Sequence, residues 1–253
     1  MNLALMGIPE LSGPAELYYD EETSAKYTQN SRIVYIQREL TERCLELLEA
    51  KDGGLLLDIG CGSGLSGSVL TENGYPWVGI DISTEMLRLG IEKGEGLGYI
   101  RMDMGRGLVF QPGTFDGVVS VSAIQWLFHS YSSDEHPIRR IRTFFTTLYS
   151  VCKPDAKCVL QFYLKNQSQV EMLKNEAIRA GFDGGIQVDN EGTRNVKSFL
   201  VLTSGKGTGR KRERKKKRKG RIDEILKRKE KLRLRGVEVP RDTKYTGRRR
   251  SRR

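Results

Sequence analysis

Long apolar runs are missing from this sequence. No stretch of about 18 apolar residues occurs, so nothing in it reads as a transmembrane helix. The least charged stretch, 118–133, is broken by Ser120, Gln125 and His129. Residues 1–20 contain no basic cluster followed by an apolar block, so a secretory signal is not expected. Histidine is scarce, with only His129 and His136, and the four cysteines, Cys44, Cys61, Cys152 and Cys158, include no C-x-x-C pair. That set cannot supply a four-ligand zinc site, and no metal is expected. The cysteines read instead as reduced thiols packed as small hydrophobes in an intracellular protein.

Acidic charge is scarce at one end only. Of the 43 Lys+Arg and 32 Asp+Glu in 253 residues, residues 205–253 hold 24 basic and 6 acidic, leaving 19 basic and 26 acidic in 1–204. A mildly acidic body therefore carries an intensely basic arm, which points to a polyanionic partner such as nucleic acid. The body, 1–204, is expected to fold as one domain. The arm opens with Gly205, Gly207 and Gly209, and nine of the ten residues in 210–219 are basic. Such a charge density cannot bury a core, so the arm is expected to be largely disordered, with a nascent helix over 221–235. Its G-K-G-T-G-R-K run lacks the spacing of a phosphate-binding loop.

The body alternates two periodicities. Ile33, Ile36, Leu40, Cys44, Leu47 and Leu48 share one helical face over 31–49. Strands are expected at 55–59, 77–80, 98–102, 117–121, 157–163 and 197–202, and further helices at 65–73, 84–91, 138–151 and 167–180. Strands alternating with helices predict an α/β fold, a doubly wound, mostly parallel sheet covered on both faces.

The chemistry gathers at the first strand-to-helix turn, Leu57-Asp58-Ile59-Gly60-Cys61-Gly62-Ser63-Gly64. Alternating glycines allow a tight turn and a close backbone approach to a ligand. Asp81 closes the second strand, about 20 residues on, where a carboxylate accepts from both hydroxyls of a ribose. Asp103 follows the third strand, and successive strand ends open into one crevice. Residues 62–67 also satisfy G-x-G-x-x-G, the dinucleotide pattern, but it starts two residues after the strand ends. Asp58 would moreover repel a pyrophosphate by about 1 kcal/mol in bulk water and more in a drier site. The same acid favours a ligand with an ammonium group, a ribose diol and an adenine amine, which describes S-adenosylmethionine. A purely structural glycine turn is the plain alternative.

The D-x-G-x-G-x-G pattern with acids after the second and third strands resembles class I S-adenosylmethionine-dependent methyltransferases. Longer blocks resemble one family in particular, the eukaryotic 18S rRNA (guanine-N7)-methyltransferases. These blocks are 14–20 (P-A-E-L-Y-Y-D), 26–33 (K-Y-T-Q-N-S-R-I), 57–67, 77–83 (W-V-G-I-D-I-S), 120–127 (S-V-S-A-I-Q-W-L) and 242–248 (D-T-K-Y-T-G-R). Arg106 stands where the family pattern leads one to expect glutamine. The resemblance implies a seven-stranded Rossmann-like domain that methylates N7 of a guanine in 18S rRNA during small-subunit biogenesis.

On that reading Asp58 orients the methionine amino group, and Gly60, Gly62 and Gly64 allow close approach. Asp81 holds the ribose diol, Ile82 and Met86 pack on the adenine, Asp103 accepts from the adenine amine and the Met104 amide reaches a ring nitrogen. A solvated loop acid is the other reading of Asp103. Tyr27 and Arg32 are candidates to close the pocket, Arg32 by pairing the methionine carboxylate or, alternatively, only by salt bridging along its helix. Trp126 offers a stacking face for an extruded base or is a core tryptophan, and Gln125 or a backbone carbonyl reads the base edge. Neither an N/D/S-P-P-Y motif nor a Pro-Cys pair is present, and an N7 lone pair needs neither a base nor a covalent intermediate.

The arm is expected to bind the rRNA of the pre-40S particle through phosphates, and 210–221 also reads as a nuclear import signal. Residence in the nucleus and nucleolus, and in the cytoplasm with the particle, follows. Resemblance implies a small zinc-binding activator shared among several methyltransferases, docked on the edge strand from Gly98 to Met102. Two rival classes remain: a small-molecule methyltransferase with a targeting tail, and an assembly factor that acts mainly by binding.

Overall fold

The computed structural model describes residues 9–129, 136–164, 166–193 and 195–205, together with Lys229. The chain divides into two units, Met1–Gly205 and Lys206–Arg253. Apart from Lys229, the expected arm helix and the expected disorder of the arm fall on residues outside the described ones.

The first unit is built around seven strands: β1 (Leu56–Ile59), β2 (Trp77–Asp81), β3 (Gly98–Arg101), β4 (Phe115–Val121), β5 (Cys152–Phe162), β6 (Asp183–Asp189) and β7 (Lys197–Thr203). Among the described residues seven α-helices accompany them: α1 (Ala15–Tyr18), α2 (Glu21–Gln29), α3 (Ser31–Leu48), α4 (Leu65–Glu72), α5 (Thr84–Glu92), α6 (Pro137–Val151) and α7 (Gln167–Ala180). The strand order is β3-β2-β1-β4-β5-β7-β6. The first five strands are mutually parallel, and β7 runs antiparallel between β5 and β6.

Alternation of side chains along the central strands makes two cores, one on each face of the sheet. Leu57, Ile59, Val118, Cys158 and Leu160 pack with Phe144, Phe145 and Leu148 of α6 and Leu173 of α7. Leu56, Trp77, Val119 and Val159 turn the other way, onto Leu40, Cys44 and Leu48 of α3 and Leu70 of α4. Every residue of β1 is buried, which is why it reads as an unbroken apolar run interrupted only by Asp58. Asn30 starts α3 by accepting from the amides of Arg32 and Ile33 at 3.1 Å each, the expected role of a short polar side chain at that position.

Two segments depart from expectation. β5 begins at Cys152, five residues earlier than its pattern indicates, because Lys153-Pro154-Asp155 reads as a turn. In the fold that stretch is strand, Asp155 adopts φ 63°, and the pairing with β4 shifts register between Phe115 and Gly117. The residue pattern places six strands and does not locate β6. It is an edge strand whose Gly184 and Gly185 and mostly exposed side chains carry no apolar alternation.

At and beside the edge strand β3, Ile100 is 37% and Leu97 68% exposed, and Ile91 of α5 is 59% exposed. Cys44, Cys61, Cys152 and Cys158 are all free and buried. Among the described residues no helix is long and apolar enough to cross a membrane, and no cluster of His, Cys, Asp and Glu could hold a metal.

Candidate active site

A cleft of about 680 Å³ opens where the carboxyl ends of β1, β2, β3 and β4 meet, the place where an open parallel sheet presents its loops to a ligand. Its floor is the glycine turn. Gly60, Gly62 and Gly64 have φ of 71°, 52° and 76°, a region that side-chain-bearing residues rarely adopt. A Cβ on Gly60 would sit 2.2 Å from the Ala123 Cβ, and one on Gly64 would sit 2.5 Å from the Tyr99 hydroxyl. These two glycines thus let the turn pack on the protein itself, whereas at Gly62 the nearest atom is the Met86 Sδ at 3.8 Å. Gly60→Ala combines backbone strain with overpacking. It is expected to lower the thermal midpoint by about 5–15 °C in scanning calorimetry, and a shift below about 2 °C contradicts this account of the turn.

The turn is pinned by Asp81. Its Oδ2 accepts from the Gly62 amide at 2.9 Å and its Oδ1 from the Ser83 amide at 2.9 Å. A carboxylate has about four acceptor positions, and Asp81 lines the cleft with the rest of its capacity. Burial raises its carboxyl above the ordinary range, against the three backbone amides that favour the ionised form. Ile82, Met86 and Met104 add apolar walls.

Asp58 lies behind the floor and does not line the cleft. It is fully buried, Ser66 Oγ donates to its Oδ2 at 2.5 Å, and its Oδ1 has no partner among the described residues. Burial pushes its carboxyl up to about 7, with the Asp81 charge adding to the rise and the Ser66 bond opposing it.

Asp103 is not a solvated loop acid. Arg140 of α6 grips it at both oxygens, Nη1 to Oδ2 at 3.0 Å and Nη2 to Oδ1 at 3.1 Å, and the Gly105 amide donates to Oδ1 at 2.8 Å. Both side chains of this pair are 14% exposed. Arg140 also lines the cleft. Sequence reasoning missed it because it follows Asp103 by 37 positions on a helix whose basic side reads as solvated.

Three expected site residues are placed differently. Arg32 is exposed on α3 and does not line the cleft. Gln125 is buried and turned inward, its Nε2 donating to the Ser122 carbonyl at 2.9 Å, so it braces its own turn. Gly64, as above, serves packing. Tyr27 does line the cleft, and the Gln37 Nε2 donates to its hydroxyl at 3.0 Å. Trp126 lines it too, half-buried at the side opposite Asp81's strand. The turn before Trp126 is held by Gln161, whose Oε1 accepts from both the amide and the hydroxyl of Ser122 at 2.9 Å. Ser122 has φ 57°.

The N-terminal segment roofs the cleft with Pro14, Ala15, Glu16 and Tyr19. Thr28 Oγ1 donates to Ser63 Oγ at 2.8 Å, and Ser83 Oγ donates to the Tyr19 carbonyl at 3.1 Å. These bonds tie the roof to the glycine turn and to the end of β2.

Residues 57–160 match a family model described as a methyltransferase domain. Residues 169–252 match a second, described as a methyltransferase involved in Williams-Beuren syndrome. Among solved structures, a TehB-like SAM-dependent methyltransferase of Corynebacterium glutamicum aligns with TM-score 0.53 at 16% identity, over 74% of this chain and 100% of that one. The 4+2 cyclase SpnF aligns with TM-score 0.54 at 17% identity, over 66% of this chain and 80% of that one. The fold alone therefore does not specify the reaction. Sequence relatives are more informative. The 18S rRNA (guanine-N(7))-methyltransferase of Mus musculus is 42% identical, over 96% of each chain. That of Arabidopsis thaliana is 39% identical over 96% of this chain and 97% of the relative. The 18S rRNA (guanine(1575)-N(7))-methyltransferase of Saccharomyces cerevisiae is 39% identical over 97% of this chain and 98% of the relative. With identity at this level running from end to end, the chain belongs to the 18S rRNA (guanine-N7)-methyltransferase family.

Proposed function

We infer that this chain transfers a methyl group from S-adenosylmethionine to N7 of a guanine in 18S rRNA. The observation that carries the reading is Asp81, a carboxylate pinned at the glycine turn and lining the cleft of a chain whose full-length relatives bear that activity. The residues fit the cofactor. A cleft of about 680 Å³ is of the size that encloses a nucleoside-like ligand. Asp81 would hold the ribose diol, Ile82 and Met86 would pack on the adenine, and the Met104 amide and Asp103, clamped by Arg140, would meet its polar edge. Gly60, Gly62 and the start of α4, which has no side-chain cap, would receive the methionine end. Asp58 would orient the ammonium through the loop backbone or a water, and its unpartnered Oδ1 supports that role. Tyr27 would close the pocket.

The cofactor supplies an electrophilic methyl on a sulfonium. The chain's task is alignment, worth up to about 7–11 kcal/mol when it is good, because the N7 lone pair attacks without losing a proton. Trp126 would stack on the extruded base. The direct test is mass spectrometry of 18S rRNA nucleosides after incubation with donor, with and without the full-length chain together with its activator. Appearance of 7-methylguanosine supports the reading, and its absence overturns it.

A pH dependence follows from Asp58. Between 3.8 and about 7 the folded chain keeps a proton that the unfolded chain has lost. This group's contribution to stability therefore falls as pH rises through that window and levels off above it. An ammonium ligand favours the ionised form, and with the ligand's own α-amino group losing its proton at about pH 7.7–8.0 donor affinity should rise about fourfold from pH 6 to pH 8, and Asp58→Asn should remove that rise. Calorimetric titrations at both pH values check this, and a pH-independent wild type contradicts it.

The same proposal extends to partners. The exposed apolar residues beside β3, Leu97 and Ile100, support docking of the small zinc-binding activator at this edge, since an uncovered edge invites a foreign strand. The basic arm supports binding to the rRNA of the pre-40S particle, and residence in the nucleus and nucleolus and in the cytoplasm with that particle.

A further inference from the structure

Two adjacent tyrosines at the roof of the cleft have no role in the reading so far. α1 is four residues long and has no buried residue, so core packing does not account for its aromatic end. The Tyr18 and Tyr19 rings meet edge-on at 5.0 Å and 88°, and Tyr19 meets Tyr27 edge-on at 5.7 Å and 82°. Both neighbours reach across to the tryptophan after β4: Tyr18 to Trp126 is 6.4 Å at 52°, and Tyr19 to Trp126 is 6.2 Å at 56°. Tyr19 and Trp126 line the cleft and are half-buried. The backbone of Tyr19 is held at its carbonyl by Ser24 Oγ and Ser83 Oγ, each at 3.1 Å. Its ring therefore projects from a fixed point beside the end of β2 toward the acceptor side.

We propose that Tyr19, backed by Tyr18, forms with Trp126 an aromatic slot for the acceptor guanine, and that Tyr19 is a specificity-determining residue for methylation at N7. The proposal rests on the methyltransferase reading above. A planar base between two parallel rings needs about 3.5 Å on each side, about 7 Å in all, so the Tyr19 and Trp126 rings, 6.2 Å apart, must move apart slightly to admit it. Their 56° inclination makes a wedge that becomes a sandwich when the rings turn parallel. The charge balance of the reaction explains why such a slot serves this acceptor. The N7 lone pair forms the new N–CH3 bond, the S–CH3 pair returns to sulfur, and no proton leaves. One unit of positive charge therefore passes from sulfur into the purine. Aromatic faces are negative and attract a cation, so the slot holds the purine more tightly as the charge develops in it.

The test uses the full-length chain without donor, titrated with guanosine and with 7-methylguanosine while tryptophan fluorescence is followed. Trp77 is fully buried and gives a constant background. The wild type is expected to bind 7-methylguanosine about fivefold or more tightly than guanosine. Tyr19→Leu and, separately, Trp126→Leu should bring the ratio near one, and Tyr19→Phe should retain it. Equal binding by the wild type, or an unchanged ratio in Tyr19→Leu, overturns the proposal. Calorimetry with S-adenosylmethionine on the same variants separates the alternatives: if Tyr19→Leu loses the donor, the ring belongs to the donor pocket and the slot is refuted. Should Tyr19→Leu not fold, Tyr18→Leu and Tyr19→Phe carry the comparison, with Tyr18→Leu expected to lower the ratio. Failure of the wild type to make 7-methylguanosine in 18S rRNA sinks the enzyme reading. Success there, with an unchanged ratio in Tyr19→Leu, sinks only the slot.

Discussion

Asp81→Lys should lose the methyl donor, with a Kd at least about a hundredfold weaker in calorimetry. Each hydrogen bond from a ribose hydroxyl to an ionised acceptor contributes about 1.5–3 kcal/mol, and two of them amount to a factor of about 10² to 10⁴. The substitution also strips the Gly62 and Ser83 amides of their acceptor, which loosens the turn where the ligand lies. The sheet should survive, because Trp77 and Ile80 of the same strand remain fully packed and the pairing of β2 with β1 and β3 runs through backbone atoms. Circular dichroism checks that the fold is kept. A variant that folds and still binds donor within about tenfold of the wild type removes Asp81 from the site. The same variant separates catalysis from assembly. If pre-rRNA processing continues with it in place, the essential contribution of the chain is binding to the particle.

Removal of 206–253 should have an effect of similar size on the other substrate. That segment holds 24 of the 43 basic residues, and the remainder is net acidic. Counterion release makes binding to a single strand fall with a slope of about 0.7 per phosphate contacted. At physiological salt the truncated chain should therefore bind an 18S rRNA fragment about a thousandfold more weakly or worse, with a flatter salt dependence. Filter binding across a salt series reads both quantities. Full turnover on a small-molecule acceptor by the truncated chain would instead favour the small-molecule enzyme with a targeting tail.

What the sequence made legible was whatever depends on local pattern. β1 with its glycine turn and the acid closing β2 follow from short apolar runs that end at glycine or aspartate, whereas β3 as the edge came from the family resemblance. β6 was invisible because Gly184 and Gly185 interrupt it and because an edge strand that packs little needs no alternation. The start of β5 was hidden by Pro154, since proline usually marks the end of a strand or an edge. Long-range pairing was the other blind spot. Arg140 reaches Asp103 from a helix far along the chain, and nothing in the spacing of either residue announces it. Gln125 was assigned to the acceptor base because its neighbour Trp126 faces the cleft, yet on a tight helical turn adjacent side chains point apart, and Gln125 closes on Ser122. Arg32 lies elsewhere than expected: it is exposed on α3 and does not line the cleft that Tyr27 enters.

Everything above depends on what the cleft beneath the N-terminal roof takes up. Isothermal calorimetry of the full-length chain with S-adenosylmethionine and, separately, with a nicotinamide dinucleotide tests this most directly. The account predicts saturable one-to-one uptake of the methyl donor and none of the dinucleotide. Uptake of the dinucleotide alone would contradict it.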